Sequence, residues 1–484
     1  MKDTRTIETG SALDRFFAIS ARGSTVSREV RGGLATFFTM AYIVVLNPLI
    51  IATGKDVDGQ YIGDGGAPNI ALVAAGTAFV AGVMTILMGV IGKVPFAMAA
   101  GLGLNAFVTF NIATVMSWEE AMGLVFLEGV IIAVLVLTGL RTAVFHAIPA
   151  QLKTAISVGI GLFIALIGFV DAGFVRKAAG TPLELGIGGN LTSWPIFVFV
   201  VGLLATAAMV ARRVKGAILI GIVGTTILAI IVEAVAKLGP SAPDNAAGWR
   251  LNQPTLPKEI FGFHNPLTLF TEFDPIGGFS RVTVLLAVMF VFTLLITDFF
   301  DTMGTIVGVG RQAGLVGEDG TLPRTKQILL VDSIGAAAGG AGSVSSNTTY
   351  IESAAGVGEG ARTGLASVVT GLLFLVAIFF APLVTVVPYE AAAPALVVVG
   401  FLMMTAIRDI DWNDYEIAIP AFLTVVIMPF TYSISNGIGA GFISYVLIKV
   451  VRGKAREIHP LLWGVTALFV LYFAIGPIRA LFGV

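Results

Sequence analysis

The chain has 484 residues, of which 56% are apolar and 12% are Asp, Glu, Lys or Arg, with a net charge of −1. A soluble domain carries roughly 25% charge, so lipid has to solvate much of this surface, and the neutral balance leaves no basic footprint for nucleic acid. Cysteine is absent and the three histidines (His146, His264, His459) are far apart, which excludes disulfides, thiolate chemistry and a metal-ligand spacing.

The first 30 residues are polar and charged, with no apolar core of a cleavable leader. The sequence predicts a cytoplasmic segment over 1–30, a mature protein beginning at Met1, and a short interfacial turn around Phe16, Phe17 and Ile19. A spanning helix needs about 20 mainly apolar residues. Long candidates follow at 31–52, 69–90, 118–139, 152–171, 193–211, 215–238, 283–309, 361–385, 391–408 and 414–433. Shorter ones lie at 95–112, 327–341, 344–358 and 435–451, making fourteen, and the stretch 459–482 either spans or lies in the interface.

With a cytoplasmic N-terminus and fourteen crossings, 21 of the 29 Lys and Arg residues fall in cytoplasmic loops and seven outside. That bias is the one expected of an inner-membrane protein. The longest loop, 239–282, divides the chain into two sets of seven. Because seven is odd, the two sets enter the membrane from opposite sides, the inverted-repeat arrangement of many secondary transporters.

The third member of each set is unusual. VPFAMAAGLGLNAFVTF (94–110) is short and glycine-broken, and AGSVSSNTTYIESAAGVGEG (341–360) is shorter still and polar. Broken backbone at membrane depth survives only where it is buried in protein or lines a cavity. A matched pair of such segments points to a transporter binding site near the bilayer midplane. The fold class expected is therefore an all-α membrane protein of about fourteen segments, with broken helices or short strands in segments three and ten.

Three carboxylates stand where apolar residues belong: Asp298 and Asp301 in TLLITDFFDTMGTIVG, and Glu352 in SSNTTYIESAAG. Each costs about 2.5–3.5 kcal/mol at the bilayer centre unless a partner, proton or substrate offsets it. Asp298 and Asp301 share one helix face, and no Lys or Arg lies in these segments. The site therefore repels anions and suits a neutral or cationic guest with N–H donors. It also suits a proton as coupling ion, ahead of sodium. Asp301, nearer the inner end, serves either coupling or support of Asp298. Asn105 is an amide able to donate and accept at a heterocycle edge, or a local backbone cap. Ser345 to Thr349 offer hydroxyls and an amide that either satisfy freed backbone groups or, as at Thr349, meet the guest. Phe96, Phe107, Phe299, Phe300 and Tyr350 supply faces on which a planar base could stack. Glu128 in GLVFLEGVI reads as a helix–helix hydrogen bond, and Asp332 as structural. The Gly356-x-Gly358-x-Gly360 string lacks a preceding strand, the sequons at Asn190 and Asn347 are chance matches, and no nucleophile–His–acid set is present, so no enzyme and no cofactor are expected.

The strings TDFFDTMGTIVGVG, GSVSSNTTYIESAAGVGEGARTGLASVVTG, PFAMAAGLGLNAF and GGLATFFTMAYIVVLNP resemble those of the AzgA-like purine permeases. These belong to the nucleobase–cation symporter family that also holds the uracil and xanthine permeases. The resemblance runs from about residue 13 to the last segment. It implies a core domain (31–139 and 283–385), a gate domain (140–238 and 386–451), an extracytoplasmic loop (239–282) joining the repeats and a C-terminal segment (452–484). It implies uptake of adenine, guanine or hypoxanthine with protons. It places substrate and coupling roles on Asp298, Asp301, Glu352 and Asn105, and it carries an expectation of homodimers through the gate domain. The rival readings are a same-fold carrier of sulfate or bicarbonate, against which the acids argue, and a uracil or xanthine permease. A passive channel would show a continuous polar lining, which is not seen.

Overall fold

The computed structural model describes residues 11–482, apart from 64–65, 140–147, 179, 272 and 317–321. Arg141 and His146 lie outside the described residues, as does the side chain of Phe300. The apolar stretches become helices in chain order: α1 (Val26–Met40), α2 (Ile43–Ile51), α3 (Ile70–Leu87), then strand β1 (Met98–Ala100), α4 (Leu102–Phe107), α5 (Trp118–Thr138), α6 (Ala150–Asp171), α7 (Trp194–Ala211) and α8 (Ala217–Ala236). The second half repeats the pattern with α9 (Val284–Gln312), α10 (Thr325–Ala341), strand β2 (Asn347–Thr349), α11 (Ser353–Gly358), α12 (Gly364–Ala377), α13 (Tyr389–Met404), α14 (Tyr415–Thr431), α15 (Ile434–Val451) and α16 (Pro460–Phe482).

Among the described residues, ten helical stretches are long and apolar enough to cross a bilayer. Polar residues at their starts close the open N–H groups. Ser117 and Glu120 form a reciprocal capping box on α5, and the Asn69, Ser193, Thr283 and Ser433 side chains accept from the first turns of α3, α7, α9 and α15.

Two differences from the sequence reading concern the N-terminal region. The first span starts at Val26 rather than 31 and breaks at Ala41–Tyr42, between α1 and α2. The expected interfacial turn forms as a helix, Ala12–Phe17, but Phe17 and Ile19 bury against Leu365 instead of lying in the interface.

Helices α1, α2, α3, α5, α9, α10, α11 and α12 pack largely on one another, with α5 on α10 and α12 on both α1 and α3. Helices α6, α7, α8, α13, α14 and α15 form a second packed set, in which α13 lies against α6, α7 and α8. The two broken segments meet inside the first set. β1 pairs antiparallel with β2, placing Met98 opposite Thr349, Ala99 opposite Thr348 and Ala100 opposite Asn347. The pairing extends past both ends: the Gly101 N–H donates to the Ser346 carbonyl and the Tyr350 N–H to the Ala97 carbonyl, each at 2.9 Å. Two short strands thus satisfy in the membrane interior the backbone groups that a helix break sets free. Gly339 in α10 makes room for them, because a Cβ there would strike the Ser345 carbonyl.

Candidate functional site

The paired strands bring α4 and α11 to one place, and the side chains around them are unusually polar for a protein interior. Glu352 immediately precedes α11 and is half-buried. It accepts a 2.5 Å hydrogen bond from the Tyr42 hydroxyl. Tyr42 sits in the break between α1 and α2 and is 1% exposed, so the break aims a phenol from the first span at the tenth-segment acid. Asp301 is exposed, yet Glu352, Asp332, Tyr42 and Tyr350 all lie close enough to feel its charge. Ile351, next to Glu352, is 54% exposed. Asp301 and Ile351 are thus open to the surroundings, while Glu352 is partly covered and Tyr42 lies behind it.

Asp298 lies one turn back on α9 and is fully buried. Its neighbour is Glu128 of α5, whose carboxyl is also within the influence of Asp332 and the Ser346 hydroxyl. Asp332 of α10 accepts from the Thr349 N–H at 3.2 Å and from the Thr349 hydroxyl at 2.9 Å. Its structural role as an anchor of β2 is plain, and the Thr349 hydroxyl expected to face a guest is turned to this anchor. Among the described residues, the side chains acting on Glu128, Asp301 and Glu352 are acids and hydroxyls, with no lysine, arginine or histidine.

Asn105 is fully buried in α4 and is not a backbone cap. Its Nδ2 donates to Asn47 Oδ1 at 2.6 Å, and Asn47 Nδ2 donates in turn to Thr77 Oγ1 at 2.8 Å and the Val344 carbonyl at 3.1 Å. Asn105 Oδ1 has no protein donor. The hydroxyls of Ser345 and Thr348 and the Asn347 Oδ1 are likewise buried without partners, because the backbone of this stretch is already paired with β1 or held by the turn before it. Buried polar atoms are almost always hydrogen-bonded in native structures. A concentration of open acceptors and hydroxyls beside a broken helix marks a place where water or a guest completes the bonding.

Of the aromatics, Phe107 is buried and meets Phe290 edge-on at 5.9 Å, and Phe96 and Phe299 are fully buried. Tyr350 donates its hydroxyl to the Ala100 carbonyl at 2.5 Å, tying the tenth segment back to β1. The structure thus gathers Asp298, Asp301, Glu352, Asn105 and Thr349 around the strand pair and adds Tyr42 and Asn47, with Glu128 behind Asp298. Asn47 carried a signal in the sequence, an amide inside the apolar run TMAYIVVLNP, whereas Tyr42 did not stand out there.

The model of a family described as permeases matches residues 27–440. The chain belongs to this permease family. The guanine/hypoxanthine permease PbuG of Bacillus subtilis is 38% identical over 467 residues, covering 95% of this permease and 99% of PbuG. The adenine permease AdeP of Escherichia coli is 36% identical, with 95% of each chain covered. Among solved structures, the transmembrane domain of the cyanobacterial bicarbonate transporter BicA superposes with a TM-score of 0.57 at 15% identity, covering 86% of this permease and 96% of that domain. That likeness is one of fold. The permease is thus a multi-pass membrane transporter, with its unusual residues at the crossing of two broken segments.

Proposed function

We propose that this permease imports purine nucleobases (adenine, guanine or hypoxanthine) together with protons across the cytoplasmic membrane. In this reading the N-terminus is cytoplasmic, the chain crosses fourteen times, and the first packed set of helices moves as a core against the second as a gate. The observation that carries it is the convergence of Asp298, Asp301 and Glu352 on the β1–β2 pair among open hydrogen-bond acceptors. A purine offers N–H donors along its edge, and a carboxylate is an acceptor for up to two of them. The Glu352 and Asp298 carboxyls take those donors, Asn105 Oδ1 accepts a further one, and Phe107 or Phe299 backs the ring. Thr349 supports the site through Asp332. Asp301, on the accessible side, passes the proton. Near full-length kinship with guanine/hypoxanthine and adenine permeases supports this substrate class. Homodimers through the gate are part of the same proposal, since Val223, Ile227, Ile231 and Phe430 leave apolar side chains outward there for lipid or a second copy.

The test is uptake into proteoliposomes. Labelled hypoxanthine should accumulate under an imposed proton gradient, collapse with an uncoupler, ignore a sodium gradient, and be competed by adenine or guanine. Accumulation of labelled sulfate or bicarbonate instead would transfer the protein to the anion carriers that share its fold. Competition by uracil or xanthine alone would move it to the other branch of its family.

A further inference from the structure

Glu128 stands outside the substrate site just described, and it is fully buried at the middle of α5. Helix α5 reaches the site through backbone contact with α10. A Cβ at Gly129 would meet the Ser333 carbonyl at 2.8 Å and still more closely the Ala337 nitrogen, so only glycine permits the approach. That contact fixes the residue beside Gly129 against α9 and α10, where the Glu128 carboxyl lies within reach of the Asp298 carboxyl.

Such a pair has a chemical requirement. An ionised carboxylate only accepts hydrogen bonds. Beside Glu128 the protein offers the Ser346 hydroxyl, one donor for two neighbouring acids. A hydrogen bond between the two carboxyls therefore needs a proton carried by one of them. The titratable groups facing Glu128 are Asp298 from α9 and Asp332 from α10, and Ser346 adds a hydroxyl from the turn before β2. Asp332 is engaged with Thr349. Arg281, from the short helix packed near the start of α5, is held by Glu120 and Asp58 and does not compensate Glu128.

We propose that Glu128 is the proton-holding partner of Asp298: the two carboxyls share one proton, and the proton imported in each cycle resides on this pair. Glu128 does not touch the purine. It acts as a positioning and coupling residue through Asp298, handing the proton over as α9 changes its surroundings, with no bond made or broken other than those to the proton. The inference rests on the proton-symport reading above.

The test measures two activities of reconstituted full-length protein: accumulation of labelled hypoxanthine under a proton gradient, and counterflow of hypoxanthine without any gradient. Glu128→Gln retains an amide that donates to an ionised Asp298, so it mimics the protonated acid permanently. Counterflow is expected to persist in this variant with a flat pH profile, and gradient-driven accumulation is expected to be lost. Glu128→Asp restores a titrating carboxyl and is expected to recover accumulation and the pH profile in part. Wild-type accumulation and pH dependence in Glu128→Gln would overturn the assignment. So would equal loss of counterflow in both variants at normal membrane abundance, which would make Glu128 a packing residue. Failure of the wild type itself to accumulate hypoxanthine while showing counterflow would instead overturn the symport reading, and this assignment with it.

Discussion

Replacing Tyr42 by Phe removes one oxygen and leaves the ring, so packing around this 1% exposed residue is kept and the change isolates a single hydrogen bond. That bond runs from the phenol to Glu352 Oε1 at 2.5 Å. Hydrogen bonds to charged groups contribute about 1.5–3 kcal/mol, and each 1.4 kcal/mol is about tenfold in an equilibrium constant. Glu352 is half-buried, so water screens part of the interaction and the lower end of that range applies. The expected consequence is a fall of about tenfold in kcat/KM for purine uptake, because Glu352 loses the group that aims it. The assay is the initial rate of labelled hypoxanthine uptake in cells stripped of their own purine permeases, normalised to the amount of protein in the membrane. A thermal-unfolding curve in detergent should move little. Uptake within about twofold of wild type would refute the idea that Tyr42 positions the tenth-segment acid.

Three further outcomes follow from the same geometry. Asn47→Ala strands Asn105 Nδ2 and the Val344 carbonyl in the interior, at a cost of about 1–3 kcal/mol; a lower melting temperature in detergent and weakened uptake check it. Gly339→Ala drives a Cβ into the Ser345 carbonyl and should deplete the protein from the membrane, whereas Gly224→Ala, which meets nothing within 4 Å, should be neutral or stabilising by about 0.5–1 kcal/mol; quantitative immunoblotting of membranes compares the two. Ile351→Cys places a thiol on a 54% exposed position of a chain that has no cysteine of its own; a maleimide should label it, and hypoxanthine should slow the labelling, which unchanged rates would contradict.

How much of this was legible beforehand depended on range along the chain. The breaks at 94–110 and 341–360 were readable because glycine and hydroxyl residues interrupt stretches too short to span, and a local composition rule suffices for that. The acids of α9 and segment ten were readable because a charge in an apolar run is locally anomalous. Glu128 was equally visible as an anomaly. A contact between helices was readable there too, but not with which helix, since Asp298 beside it comes from the other half of the chain and no spacing rule joins them. Tyr42 fails for a different reason. A tyrosine in an apolar run is ordinary in a membrane protein, and only the helix break at Ala41–Tyr42, which has neither glycine nor proline to announce it, turns its hydroxyl toward Glu352. The hydroxyl run 345–349 presented the converse error. Its side chains were free to cap broken backbone, but the antiparallel partner β1 does that work, and those of Ser345 and Thr348 are left open.

The density of acids sets a constraint on any transport cycle here. Glu128, Asp298, Asp301, Asp332 and Glu352 lie together on four elements, and the donors that reach them include Tyr42 for Glu352 and Thr349 for Asp332. Two like charges about 4 Å apart cost on the order of 4 kcal/mol even at an effective dielectric constant near 20. Such a cluster cannot be fully ionised in a resting protein without cations or protons to offset it. A neutral purine brings N–H donors but no charge, so it can satisfy hydrogen bonds without discharging the cluster. Under the proposed function the two requirements fall to two different guests: the proton settles the charge, and the base settles the open acceptors. Because each makes the site more hospitable to the other, binding of base and proton has to be reciprocal, each raising the affinity for its companion by the same factor. An anion would add to the repulsion at every step, which is why a fold shared with a bicarbonate transporter need not imply a shared cargo. The apparent hypoxanthine affinity of the reconstituted protein should accordingly strengthen as pH falls, and an affinity independent of pH would leave the acids without a part in coupling.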